Sequence, residues 1–242
     1  MMKKCIIFGL IVCSVALNQF ALAGTWKDNF EDNDMSEWKI VDDWENSAGK
    51  WWSDKGEAVA ESLDESGFAM WLTGKSTWQY YAVSCRAKLV KSKKEPPTFG
   101  IAMHADNDGV LDGLLDAHYY FRVIGGDFNF ISIRKFRPFP VGPVTLGEFD
   151  FEVKADRWYQ LTATIRRNGK IEFYIDKKLF TVFDANPLEA GQTGVGVSNA
   201  EVRFDDVEIT GQNIDDGGPG DTTRSVNPQA KLTTTWGHLK SN

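Results

Sequence analysis

Cysteine, basic charge, helical periodicity and long apolar runs are all in short supply in this 242-residue chain. Two of its three cysteines, Cys5 and Cys13, lie near the start, so Cys85 stands alone in the rest. A single thiol excludes an internal disulfide and a cysteine-based metal centre there, and stability has to come from buried apolar surface. The 27 Lys and Arg are outnumbered by 34 Asp and Glu, for a net charge of −7. A chain of that sign is not built to neutralise phosphates, which argues against nucleic acid and anionic bilayers as partners. Past residue 23 no run is long and apolar enough to cross a membrane. The 3.6-residue apolar period is almost missing, and with it the helical bundle and the βαβ sheet.

What is present is aromatic and alternating. The chain has 9 Trp and 16 Phe, enough for a large core. Short period-two runs recur from Trp38–Val41 to Val202–Ile209, separated by clusters of Gly, Pro, Asn and Asp. That pattern predicts an all-β sandwich or barrel of antiparallel strands. The sharpest local signal is Arg166-Arg167-Asn168-Gly169-Lys170. Asn-Gly between alternating runs predicts a hairpin with positive φ at both central residues. Leu161, Ala163 and Ile165 would face inward before it, and Ile171, Phe173 and Ile175 after it. Asp176-Lys177-Lys178 then turns the chain into Leu179–Phe183. In Val202–Ile209 the apolar parity switches between Phe204 and Val207, which requires one extra residue at Asp205-Asp206, a β-bulge. Adjacent Trp51 and Trp52 must take opposite faces of a strand, which leaves one outside.

The ends read differently. Lys3-Lys4, the uncharged run Cys5–Leu17 and the small residues Ala21 and Ala23 before Gly24 have the order of a secretory signal peptide over residues 1–23. Export to the periplasm, cell surface or medium is the expectation. Residues 24–211 would form the sandwich. Residues 212–229, rich in Asp, Gly, Pro, Thr and Ser, are expected as a flexible linker. Residues 230–242, with Trp236 as anchor, are expected as a docking or sorting peptide for export or surface-anchoring machinery.

Several stretches resemble one superfamily. Phe30-Glu31-Asp32-Asn33-Asp34-Met35-Ser36-Glu37-Trp38 resembles the entry strand of concanavalin A-like lectin/glucanase sandwiches. Trp158-Tyr159-Gln160-Leu161 with Tyr174-Ile175-Asp176 is similar to laminin-G-like and 3-keto-disaccharide hydrolase-like domains, with Lys177 in place of the usual Gly. Gly194–Val197 and Phe204-Asp205-Asp206-Val207 resemble the closing strands. The resemblance implies a two-sheet antiparallel jelly roll over roughly residues 26–211. It also implies that one sheet face holds the ligand. It does not by itself separate enzyme, lectin and adhesion module.

Alternation nominates the residues of that face. With Ile101, Met103, Tyr119, Phe121, Val123, Ile131 and Ile133 inward, His104, His118, Tyr120, Arg122 and Arg134 point outward on neighbouring strands. Guanidinium forks and aromatic faces suit sugar hydroxyls and carboxylates, and glycan is the partner they imply. The plain alternative is a solvated face with polar cross-strand pairs. Glu148, Asp150 and Glu152 form Glu-x-Asp-x-Glu, similar to laminarinase and lichenase glycosidases of this fold. Three carboxylates on one face could supply nucleophile, acid/base and a tuning group. Phe149 and Phe151 also fit an ordinary core strand with an acidic outer side. No cofactor is required. A structural calcium is conceivable at Asp28 or Glu31 with Asp205 or Asp206, where both terminal strands would meet, or in the loop Asp106–Asp112. Turn chemistry accounts for the same residues. His104 and His118 could meet across a hairpin as zinc ligands, with no third in view. Three readings stay open: a glycan-binding module, a glycoside-processing enzyme and a structural surface module.

Overall fold

The structure, a computed structural model, describes residues 23–42, 49–62, 68–106, 117–138 and 141–220. The expected signal peptide, all but its last residue, the end of the chain from residue 221 and the loop residues 107–112 lie outside the described residues.

Period-two alternation becomes fifteen strands among the described residues. They are β1 (Gly24–Asp28), β2 (Lys39–Asp42), β3 (Gly49–Asp54), β4 (Glu57–Ser62), β5 (Ala69–Thr73), β6 (Ala82–Ser92), β7 (Thr98–Asp106) and β8 (Ala117–Ile124). The rest are β9 (Phe130–Phe136), β10 (Val144–Asp150), β11 (Trp158–Ile165), β12 (Lys170–Ile175), β13 (Lys178–Phe183), β14 (Gln192–Ser198) and β15 (Ala200–Gly211). An eight-stranded sheet runs β13-β12-β11-β6-β15-β4-β3, with β1 also on β15. A seven-stranded sheet runs β10-β9-β8-β7-β14-β5-β2. The fold is the all-β, two-sheet antiparallel sandwich of the concanavalin A-like jelly roll, as expected.

The inward residues named by parity are buried. Ile101, Met103, Tyr119, Phe121, Val123, Ile131 and Ile133 join Leu161, Phe173 and Phe204 between the sheets. Trp26, Trp38, Trp51 and Trp71 pack as one group in this layer. Trp51 stacks on Trp71 at 4.5 Å, while its neighbour Trp52 is left exposed, as adjacent strand positions require. Full burial of one such side chain contributes about 2–3 kcal/mol, so the aromatic core replaces the missing disulfides.

The bulge in β15 is present. Asp205 pairs with Arg86 and Glu208 with Ser84, so one extra residue sits between them, and Asp206 has φ of 48°. Arg86 bonds both aspartates, with Nε 2.9 Å from Asp206. The bulge lies where β15 changes partners: β4 runs along Ala200–Phe204 and β1 along Val207–Gly211. The two terminal strands therefore meet, although β1 itself carried no clear alternation.

Two expectations need correction. In the β11–β12 hairpin only Gly169 has positive φ, +82°. Gly169 N donates to Arg166 O at 2.8 Å and Arg166 N to Lys170 O at 2.9 Å. This is a right-handed turn closed by a glycine bulge, not the two-residue turn with both centres left-handed. Asn168 acts through its side chain, accepting from Lys170 N at 3.1 Å. Residues 214–220, expected as flexible linker, are also tied to the sandwich. Lys27 N donates to Gly217 O at 2.9 Å, Gly217 N to Thr25 O at 3.0 Å and Gly220 N to Lys27 O at 3.0 Å. Ile214 is buried against Gly24 and Gly211. The backbone of β1 offers a free edge, and hydrogen bonding to it outweighs the polar composition of this segment.

Candidate functional site

The outward face of the seven-stranded sheet is built from two cross-strand rows. One runs Thr145, Arg134, Tyr120, Ala102, Gly194 and Leu72. The other runs Glu148, Ser132, Arg122, Gly100, Gly196 and Met70. Small residues stand at the middle of both rows, on β7 and β14, and Tyr120 lies against them: a Cβ on Gly196 would sit 2.9 Å from the Tyr120 hydroxyl. Glycine there is what lets the ring lie against the sheet.

His118, Tyr120, Arg122 and Arg134 share this face, as alternation predicted. The face is packed rather than open. Val41, Met70, Leu72, Ala102 and Tyr120 form a second apolar cluster, with Phe68 and Phe136 against it. His118 stacks on its cross-strand partner Phe136 at 4.4 Å, with planes 5° apart. Phe68 meets the Tyr120 ring at 4.9 Å, and the Arg122 guanidinium lies 5.1 Å from the Phe68 ring centre. His118 and Tyr120 are fully buried and Arg122 nearly so, whereas Arg134, Phe68 and Phe136 are half-exposed. Burial pushes the His118 pKa down to about 3, so the ring is neutral.

His104 does not belong to this face. Met103 pairs with Tyr119 and Asp106 with Ala117, so β7 carries one extra residue here, and His104 has φ of 49°. The bulge reverses the parity and turns the ring to Tyr81 and Tyr119 between the sheets, at 5.1 and 6.2 Å. Its Nδ1 lies 2.6 Å from Leu188 O and therefore carries the proton. Burial, partly offset by that bond, lowers its pKa to about 4. His104 and His118 thus sit on opposite sides of the sheet and cannot share a zinc ion.

The three acids do not all share the strand. β10 is an edge strand, with a register shift between Thr145 and Gly147. Glu148 and Asp150 lie exposed on it, and Ser132 Oγ donates to Glu148 at 3.3 Å. The strand ends at Asp150, so Glu152 lies beyond it, 3.6 Å from Lys154. Phe149 and Phe151 pack on Phe180, which is the plain reason for the alternation.

The calcium candidates are engaged elsewhere. Asp28 is buried and accepts from Trp38 Nε1 at 2.7 Å and Phe30 N at 2.8 Å. Burial outweighs those bonds and raises its pKa to about 6. Glu31 lies over Gly56, and Asp205 and Asp206 hold Arg86. Among the described residues no three His, Cys, Asp or Glu side chains gather as a metal site.

Alternation in Ile131-Ser132-Ile133-Arg134-Lys135 also puts Lys135 inward, a signal that reading for outward residues passes over. Lys135 is 2 % exposed, and its Nζ lies 2.6 Å from Asp184 Oδ2. Tyr119 donates to the same oxygen at 2.6 Å, and Lys135 also reaches Asn186 O. Burial alone would raise the Asp184 carboxyl; Lys135, Tyr119 and the Asn186 amide outweigh it and hold it below the usual range. Leu188 N donates to Tyr119 at 3.0 Å. The buried network therefore ties down the connection between β13 and β14.

No protein-family model matches the chain, and no curated protein matches its sequence. Solved structures do. The carbohydrate-binding module CBM66 from Bacillus subtilis is 16 % identical with a TM-score of 0.56, covering 71 % of this chain and 94 % of the module. The beta-glucanase of Bacillus licheniformis is 14 % identical with a TM-score of 0.57, covering 78 % and 98 %. The carbohydrate recognition domain of Emp47p is 8 % identical with a TM-score of 0.52, covering 78 % and 95 %. At such identities the likeness is one of fold.

Proposed function

We propose that this protein is an exported, non-catalytic carbohydrate-binding module whose ligand lies on the outward face of the seven-stranded sheet, around Arg134. The observation that carries the reading is the state of Arg134. Its Nε is buried and has no hydrogen-bond partner among the described residues. Its cross-strand neighbours, Thr145 and Tyr120, offer no carboxylate. A buried donor left unmade costs about 1–3 kcal/mol, which a ligand hydroxyl or carboxylate accepting from it would recover. Phe136, two residues along the strand, and Phe68 give half-exposed aromatic surface beside it. Aromatic faces take the C–H side of a sugar ring while a guanidinium takes hydroxyls or a carboxylate. Tyr120, His118 and Arg122 act beneath as packed support.

Binding is favoured over catalysis by the position of the acids. A glycosidase needs two carboxyl groups flanking the scissile bond, one kept protonated by burial. Glu148 and Asp150 are exposed on an edge strand and Glu152 is off it. The structural neighbours include both carbohydrate binders and glycosidases, so they support carbohydrate as the ligand and leave the choice to the acids. The leader-like first 23 residues support export.

Titration calorimetry against soluble polysaccharides with and without carboxyl groups tests the reading. Arg134→Ala is expected to weaken binding by about tenfold or more, the worth of one hydrogen bond to a charged group. Unchanged affinity in that variant, or release of reducing sugar from any of the polysaccharides, would refute it.

A further inference from the structure

A cleft of about 570 Å³ opens on the other side of the buried network. It is lined by Gln79, Tyr80, Arg167, Asn186, Pro187 and Glu189. Three elements meet there: the segment before β6, the β11–β12 hairpin and the β13–β14 connection. Such a volume is within the range of small-molecule sites.

Tyr80 is the first sign that the cleft is more than a gap. Its φ is 45°, a left-handed backbone that a bulky side chain adopts rarely and that clusters at functional positions. The strained backbone presents the ring to the cleft, with the Arg167 guanidinium 5.3 Å from the ring centre. The edge of the ring faces His104 at 6.1 Å. His104 gives its Nδ1 proton to Leu188, and its Nε2 is a buried acceptor with no partner among the described residues.

The second sign is how firmly the wall is held. Asp184 N donates to Gly169 O at 2.9 Å, and Asn186 N to Asp184 Oδ1 at 2.9 Å. Lys135 bonds Asn186 O, and Leu188 is bonded at both N and O, by Tyr119 and His104. Gly191 N donates to Trp78 O at 3.0 Å, and Gln79 bridges to Ala190. A buried ion pair is a poor way to gain stability. It is an effective way to fix a loop in one geometry, and a site built on fixed walls spends less on ordering when the ligand arrives.

We propose that this cleft is a second saccharide site, for a short neutral sugar such as a disaccharide or a chain end. It rests on the reading of the protein as a carbohydrate binder, but not on the Arg134 face. The lining carries one cation, Arg167, and one anion, Glu189, so it selects no net charge. Gln79 and Asn186 add two amides, each able to donate and accept. Glu189 accepts from vicinal hydroxyls, Arg167 donates to them, and the rings of Tyr80 and Pro187 supply the apolar surface.

The test uses the full exported chain and a panel of neutral disaccharides: cellobiose, maltose, lactose and sucrose. Binding is followed by the side-chain amide signals of Gln79 and Asn186 and by titration calorimetry. At least one disaccharide is expected to shift both amides. Tyr80→Ala should weaken it tenfold or more, Glu189→Gln a few-fold, and Arg134→Ala less than twofold. If no disaccharide moves the amides, or Tyr80→Ala binds as the parent does, the site is overturned. In that case a polysaccharide that still depends on Arg134 leaves the first reading standing. Disaccharide binding that depends on Tyr80, with every polysaccharide indifferent to Arg134→Ala, supports the cleft and removes the first site. Because Glu189 is exposed, Glu189→Gln keeps the result readable should Tyr80→Ala fail to fold.

Discussion

Replacing Asp184 by Asn probes the interior at its most exacting point. The change keeps the shape, but it removes the charge that faces Lys135 and leaves one carbonyl oxygen where two carboxylate oxygens accepted from Tyr119, Lys135 and Asn186 N. Lys135 is 2 % exposed, so its ammonium would be left with at most an uncharged amide oxygen, Asn186 O and the Tyr119 ring, 5.6 Å away. Stranding one member of a buried pair costs about 3–5 kcal/mol. In a domain of this size each kcal/mol moves the melting midpoint by about 2–4 °C, so a fall on the order of 10–15 °C is expected. Lys135→Met added to Asp184→Asn removes the stranded charge and should recover at least half of the loss. Thermal unfolding of the four proteins of this cycle measures the coupling, which should reach about 2 kcal/mol. Loss of only a few degrees in Asp184→Asn, or a double variant no better than the sum of the singles, would refute the reasoning. Saccharide binding gives a second reading of the same variants. The double variant should fold well yet hold the β13–β14 connection loosely, so binding at the Tyr80 cleft should fall while binding at Arg134 persists.

Two further predictions concern pH and the hairpin. His104 and His118 have folded pKa values of about 4 and 3, depressed by burial from 6.5. Their contribution is fully present above 6.5 and is lost as pH falls, roughly 2–3 kcal/mol each by pH 4.5. Asp28 works the other way: its folded pKa of about 6 makes its contribution complete below the unfolded value of 3.8 and lost as pH rises through 6. The two histidines outweigh the one aspartate, so the melting midpoint should drop between pH 7 and 4.5, and His118→Phe should flatten that slope; an unaltered slope counts against the assignment. Gly169→Ala meets two obstacles, a φ of +82° and a Cβ only 2.0 Å from Asp184 O. The backbone strain alone costs about 1–3 kcal/mol, so denaturant unfolding should show at least that loss, and a midpoint equal to the parent would contradict the close packing of hairpin on loop.

Much of the architecture was written in the order of residues. Alternation located the strands of both sheets except β1, where Trp26 is the one large apolar residue in Gly-Thr-Trp-Lys-Asp and so shows no alternation. The parity switch at Asp205-Asp206 foretold the bulge because only an inserted residue keeps Val207 and Ile209 inward. Trp51 and Trp52 divided between inside and outside for the same reason. These are local consequences of a backbone whose successive side chains point to opposite faces.

The candidate site was legible only in part. Parity brought Tyr120, Arg122 and Arg134 to one face correctly, since nothing interrupts β8 and β9 between them. It failed for His104, where a bulge turned the ring inward and sent Ala105, too small to reveal the switch, to the outer cluster. It failed also to say that Tyr120 and His118 would be covered, because that depends on Gly196 across the sheet, on Phe136 from β9 and on Phe68 just before β5. The ion pair of Lys135 with Asp184 joins positions 49 residues apart, and the Tyr80 cleft joins three separate segments. By itself the sequence determined the strands, their faces and hence the sandwich, since those follow from neighbours along the chain. Which faces are filled, which charges meet and where a ligand can enter were decided only by the packing of strands distant in sequence, because burial belongs to the assembled layers and not to any one of them.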